Sequence, residues 1–279
     1  MIDNVIEAGS VHKLEIYKDT DFGFFLRSGN EQEVLLPNAY VTKDMNMYDE
    51  IDVFIYHDSE DRLIATTKRP YAMEGEYFYG EVVDYKQYGA FIDWGLPKDL
   101  FVPLSQQKAY FHVGKKFILR VCLDRETGRL YGTHKIGKHI IRDMKGLHEN
   151  KEMEIIVIAK TPLGYKVIAD SKYEGMLFDN EIFDNINIGD KYRAYIKKVR
   201  PDFKLDLSLQ PISNDNYAQD KILEVLKDKG NSLEITSKSS PEIIKEIFGL
   251  SKKSFKKGLN ALIESKQIKL ENSIISLEN

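Results

Sequence analysis

Six histidines, one cysteine and 44 carboxylates are the groups from which a catalytic or metal centre would be assembled in this 279-residue chain. Their spacing argues against one. His134 and His139 stand five apart, awkward for one helical face, and no Cys or carboxylate completes a metal set at a familiar interval. Neither GxxxxGK(S/T) nor GxGxxG occurs, so the usual phosphate-cradling loops are missing. Cys122 lies in the apolar run FILRVCL and reads as a small core residue. No catalytic centre, metal or cofactor is expected.

A different pattern carries chemistry. Lys166, Lys191, Arg193, Lys197, Lys198, Arg200 and Lys204 are interleaved with Tyr165, Phe178, Tyr192 and Tyr195. Cations hold phosphates and rings stack on flat heterocycles, so this is the composition of a groove for a single-stranded polyanion. Strand alternation splits Arg193, Tyr195 and Lys197 from Tyr192, Ala194, Ile196 and Lys198; the apolar content of the second set means that the first should face solvent. A second cluster, Lys252, Lys253, Lys256 and Lys257, has no acid within it.

The elements that position these groups come from a repeat. Anchored on Gly23, Gly89 and Gly164, three copies align without a gap. Fourteen residues on are Pro37, Pro103 and Phe178; then come Tyr48, Gly114 and Gly189, and nineteen further Thr67, Thr133 and Ser208. Each copy reads as five short strands with turns at DSED, DRETG and RPDF. Five strands in about 60–70 residues suit a small closed barrel, which removes exposed sheet edges. After Pro211 the period changes to three or four. SNDNYAQD is the expected linker and helix start, Ser240-Pro241 opens a second helix that Gly249 stops, and Ser251 caps a third. QIKLE and SIISLE form a hairpin meeting at Glu271-Asn272, completing a winged helix. Its third helix, the recognition element, carries the four lysines opposite Phe255 and Leu259.

The fold class is therefore mainly β with a C-terminal α+β domain: barrels at 1–70, 71–138 and 139–212, and a winged helix at 213–279. Net charge is −4, and residues 1–70 alone carry 14 acidic against 7 basic groups. A polyanion should prefer the rest of the chain. No apolar run reaches the roughly 18–20 residues that span a bilayer. The N-terminus shows no basic segment before an apolar core, and the single Cys fits a reducing compartment, so a cytoplasmic location is expected, with no membrane partner.

The middle copy, with Tyr88, Gly89, Ala90, Phe91, Ser105, Val113, Gly114 and Asp124, resembles the S1 RNA-binding domain, an OB-fold barrel. Phe22, Gly23, Phe24 and Phe25 carry the likeness in the first copy, while spacing carries it in the third. The family's His falls on Pro103, removing one usual contact. Three such barrels before a winged helix are similar to the conserved virulence factor B family (the CvfB or YitL group) of bacteria. That resemblance implies an RNA-binding regulator of gene expression.

It also implies where a ligand sits: on an aromatic face of the second and third strands. In copy two the expected contacts are Tyr88 and Phe91, with Lys86, Arg120 and Arg129 on phosphates; Trp94 is as well suited to turn packing. In copy three they are Tyr165, Lys166, Phe178, Arg193, Tyr195, Lys197, Arg200 and Lys204, and in the winged helix the four lysines. Copy one has Phe22 and Phe25 among Asp19, Asp21, Glu31 and Glu33, which would repel phosphate; packing or protein binding suits it better. Two other functions fit: a protein-interaction scaffold reusing these folds, and DNA binding through the winged helix, for which Ser254 and Asn260 are the only nearby base readers.

Overall fold

The computed structural model describes residues 5–29, 32–179, 182, 185–211, 215–271 and 273–278, the side chains of 215 and 216 excepted. Two compact units, Met1–Ile140 and Ile141–Asn279, divide the chain. Among the described residues no helix is long and apolar enough to cross a membrane.

The first unit holds two barrels. Barrel one comprises β1 (Val11–Thr20), β2 (Gly23–Arg27), β3 (Glu33–Pro37), β4 (Glu50–His57) and β5 (Leu63–Thr66), closed in the order β1-β2-β3-β5-β4. Barrel two comprises β6 (Tyr77–Lys86), β7 (Gly89–Asp93), β8 (Leu100–Pro103), β9 (Lys116–Leu123) and β10 (Leu130–Thr133), in the order β10-β9-β6-β7-β8. Its edges meet at Gln106, just after β8: Thr133 Oγ1 donates to Gln106 Oε1 at 2.9 Å, and the His134 amide donates to Gln106 O at 3.0 Å. In the second unit, β11 (Glu152–Thr161), β12 (Gly164–Ala169), β13 (Tyr173–Phe178), β14 (Lys191–Val199) and β15 (Leu205–Ser208) close barrel three.

The repeat has a physical cause at each anchor. Gly23, Gly89 and Gly164 pair with Pro37, Pro103 and Phe178, where the next strand passes so close that a Cβ would strike the carbonyl oxygen of Leu36, Val102 or Leu177. A bulge lies at the same place in all three leading strands, after Ile16, Val82 and Val157. The amides of Tyr48, Gly114 and Gly189 donate back to those three residues' carbonyls, all with positive φ. The last anchor needs a correction. The buried hydroxyls that close the barrels are Thr66, Thr133 and Ser208, each accepting from the amide two residues on. Thr66, not Thr67, is the equivalent in copy one, because its β4–β5 turn is one residue shorter than the β9–β10 turn of copy two.

Alternation fills the cores. In β4, Val53 and Ile55 point into barrel one, while Phe54 and Tyr56 point out and join the core of barrel two. Trp94 meets Phe54 there edge-on at 5.9 Å, 3% exposed, its indole N–H bonded to Lys98 O at 2.7 Å. It is a packing residue that ties the two barrels together.

The C-terminal domain has α1 (Asp215–Asp228), α2 (Pro241–Phe248), α3 (Lys252–Glu264) and a sheet of β16 (Ser232–Leu233), β18 (Ile274–Leu277) and β17 (Ile268–Glu271). Ser213 and Asn214 of the linker, and Asn272 of the hairpin turn, lie outside the described residues. Ser240 and Ser251 accept from the amides of Ile243 and Ser254, satisfying N-terminal donors that the helix leaves open. Gly249 ends α2 in the left-handed region at φ 64°. Phe248, Phe255, Leu259 and Leu262 are buried in one core with Ile222 and Leu226.

Candidate nucleic-acid interface

In β7 and β8, Ala90, Ile92, Leu100 and Val102 are buried inside barrel two. The alternate residues Phe91 and Phe101 are therefore directed outward, opposite one another in register. Tyr88, 54% exposed at the β6–β7 turn, completes a cluster of three rings. Centroids lie 5.4 Å apart for Phe91–Phe101, 5.8 Å for Tyr88–Phe101 and 6.2 Å for Tyr88–Phe91. Phe101 was not among the expected contacts. Its signal was present in the alternation of LFVP, which turns Phe101 outward once Leu100 and Val102 turn in.

The rings line a groove of about 860 Å³ whose other walls include the β9–β10 turn and, from barrel one, Tyr56, His57 and Asp61. Arg129 lines it, and so does Lys98, which the sequence reading missed. Lys86 stands at the end of β6 beside Tyr88, paired with Asp84 at 2.8 Å, and that pairing raises its pKa. Arg120 is a correction. On β9 it pairs in register with Tyr77 and Thr133, and its guanidinium lies over the Tyr77 ring at 5.1 Å. Phe91 sits opposite Asp84, seven residues along β6, roughly 23 Å at strand rise. Arg120 thus stands apart from the three rings, close to Cys122 and Tyr77. Burial pushes the Cys122 thiol pKa up.

Barrel one offers the same turn with other charges. Phe22 is 76% exposed, and Phe25 lies under Lys18 at 5.6 Å. Exposed Asp19, Asp21 and Glu33 are close by in sequence or register; Glu31 lies outside the described residues.

In barrel three the expected residues fall into two groups. Lys166, Phe178, Lys204 and Arg200 belong to β12, β13 and the β14–β15 turn. Glu174 binds Lys166 at 3.0 Å and Lys204 at 3.1 Å, and Arg200 pairs with Asp202 at 3.0 Å and Asp206 at 3.7 Å. Burial raises the Glu174 pKa, but the two lysines outweigh it and leave the group below its ordinary value. Tyr165 leans toward the core, with Lys160 over its ring at 3.9 Å. Arg193, Tyr195 and Lys197 lie on β14 instead, where Ala194 and Ile196 turn inward, as alternation required. Glu152 holds both Arg193, at 3.3 Å, and the Tyr195 hydroxyl, at 3.0 Å. The β14 group is thus separate from the Lys166 face, and carboxylates temper both.

On α3, Lys253, Lys256, Lys257 and Asn260 are exposed at i, i+3, i+4 and i+7, a continuous row. Lys252 is half-buried, its ammonium 3.5 Å from Lys238 O. Ser254 bonds Ser251 at 2.9 Å and serves the helix cap.

The S1 domain family matches residues 8–68, the S1 RNA binding domain family 71–121 and the CvfB-like winged helix domain family 220–277. YitL of Bacillus subtilis is 31% identical over 97% of this chain and 93% of its own length. The chain belongs to the conserved virulence factor B (CvfB/YitL) family. Conserved virulence factor B of Staphylococcus aureus is 26% identical over 96% of this chain and 93% of that protein. A multidomain protein with nucleic acid binding domains from Streptococcus pneumoniae covers 97% of this chain and 98% of its own, at 25% identity and TM-score 0.41. S1 domains with a winged helix are the domain content of a nucleic-acid-binding protein.

Proposed function

We propose that this member of the family is a non-catalytic, cytoplasmic RNA-binding protein that regulates gene expression after transcription. Single-stranded or structured RNA is its ligand, and barrels two and three and the winged helix share the contacts. The observation that carries the reading is the three-ring face of Tyr88, Phe91 and Phe101 in a groove also lined by Lys98 and Arg129. Unstacked bases lie on rings, and cations take the phosphates. Several weak modules on one chain gain affinity through effective concentration. Filter binding of RNA, single-stranded DNA and duplex DNA at two salt concentrations tests this. RNA should bind most tightly and weaken steeply with salt; a preference for duplex DNA would reject the reading.

A second reading, a protein-interaction role for barrel one, is favoured by Phe22, an exposed ring in an acidic setting. Partners captured from lysate should survive ribonuclease and be lost on Phe22→Ala. Partners that vanish with the RNA would reject it.

A further inference from the structure

The cationic end of the barrel-two groove is already held by an anion. Asp61, on the β4–β5 turn of barrel one, offers one carboxylate oxygen to Lys98 Nζ at 3.1 Å and the other to Arg129 Nη2 at 2.9 Å. Lys98 also donates to Asp58 O at 2.6 Å. The turn that presents Asp61 is braced. Asp58 Oδ1 accepts from the Glu60 and Arg62 amides at 2.9 and 3.0 Å, and its other oxygen takes the Arg62 guanidinium. Asp61 itself sits in the left-handed region at φ 61°, its amide bonded to Asp58 O. Hydrogen bonding to Lys98 and the nearby positive charges keep the Asp61 carboxyl below its usual pKa, so it is charged.

Two cations from separate loops converging on one carboxylate form a fork that also suits a phosphate. All three side chains reach solvent: Lys98, Arg129 and Asp61 are 35%, 59% and 46% exposed. Such an ion pair is weak and exchangeable. The rings that would stack a base line the same groove. Asp99, Asp124 and Glu126 also line it, but among the described residues none is ion-paired to Lys98 or Arg129.

We infer that Lys98 and Arg129 form a phosphate subsite for a nucleotide stacked on Tyr88, Phe91 and Phe101, and that Asp61 of barrel one is its resident competitor. Barrel one then sets the affinity of barrel two: its acidic turn must be displaced before a strand can seat its phosphate. This rests on the RNA-binding reading above.

The test is Asp61→Asn in the full chain, titrated with fluorescein-labelled oligouridine across a salt series. Affinity at low salt should rise about three- to tenfold. The slope of log affinity against log salt should steepen by about 0.7, because one phosphate is taken up by the freed fork. Both gains should vanish when Lys98→Gln and Arg129→Gln are added. Uridine monophosphate in a parallel arm separates the sources: a gain with the oligonucleotide alone places an internucleotide phosphate in the fork, and a gain with both admits any nucleotide phosphate. If Asp61 only ties the barrels together, Asp61→Asn lowers the thermal midpoint and leaves affinity and slope unchanged or reduced, which overturns the inference. Tyr88→Ala, run alongside, keeps the failures apart. If it weakens binding while Asp61→Asn gives no gain, only the inference falls; if it has no effect, the stacking face falls too.

Discussion

Tyr88 and Phe22 occupy the same place in two copies of one motif, each immediately before the anchor glycine, and each ring is exposed. Charge and company set them apart. Tyr88 touches Phe91 and Phe101 in a groove with Lys98 and Arg129, whereas Phe22 adjoins Asp21 and an acidic barrel. Tyr88→Ala removes two ring contacts, at about 0.5–1.5 kcal/mol each. With 54% of the residue already in solvent, the total falls toward the low end, well inside a typical domain stability of about 5–15 kcal/mol. The barrel should stay folded. One lost base stack costs about 1–3 kcal/mol, and Tyr88 supplies one ring of three, so the lower half applies. Anisotropy with oligouridine should then show Kd raised about 5- to 30-fold. Tyr88→Phe keeps the ring and should stay within about twofold. Phe22→Ala should leave RNA affinity unchanged. Equal losses at Tyr88 and Phe22, or none at Tyr88 with the circular dichroism intact, would refute the assignment of the face.

Other outcomes follow from the same structure. Lys253→Ala with Lys256→Ala removes two exposed cations that have no ion pair among the described residues, and should reduce the salt slope by about 1.4 with little change in melting; an unchanged slope means the row does not meet phosphate. Phe255→Ala, fully buried and 4.8 Å from Phe248, should destabilise the winged helix by about 3–5 kcal/mol in denaturant melts. His57, His134 and His139 all have lowered pKa values, each first through burial and then through Lys98, Lys108 or Arg120. The unfolded chain therefore binds more protons once pH falls through about 6.5, and stability should drop there, before the carboxylates titrate. Calorimetry showing a melting temperature flat across that window would contradict this.

The sequence revealed most where a single residue type was forced. The anchor glycines announced three barrels because the neighbouring carbonyl leaves no room for a Cβ. The serine caps and Gly249 marked the helix ends for equally local reasons. Alternation correctly put Ala194 and Ile196 inside and Arg193 outside. What escaped depends on neighbours far apart in the chain. Phe101 matters because Phe91 stands opposite it, and Arg120 was misplaced because a basic residue on an outward strand position says nothing of which side of the barrel it faces. The one-residue shortening that makes Thr66 the true anchor is silent in a TT pair. Asp61 was invisible as a groove residue, since its partners come from another barrel.

Photocrosslinking of a 5-iodouridine oligonucleotide to the full chain, with crosslinked residues read by peptide mass spectrometry, tests the RNA face most directly. Crosslinks at Tyr88, Phe91 or Phe101 are expected, accompanied by sites in barrel three or α3. Crosslinks confined to barrel one, with the peptide around Tyr88 untouched, would contradict it.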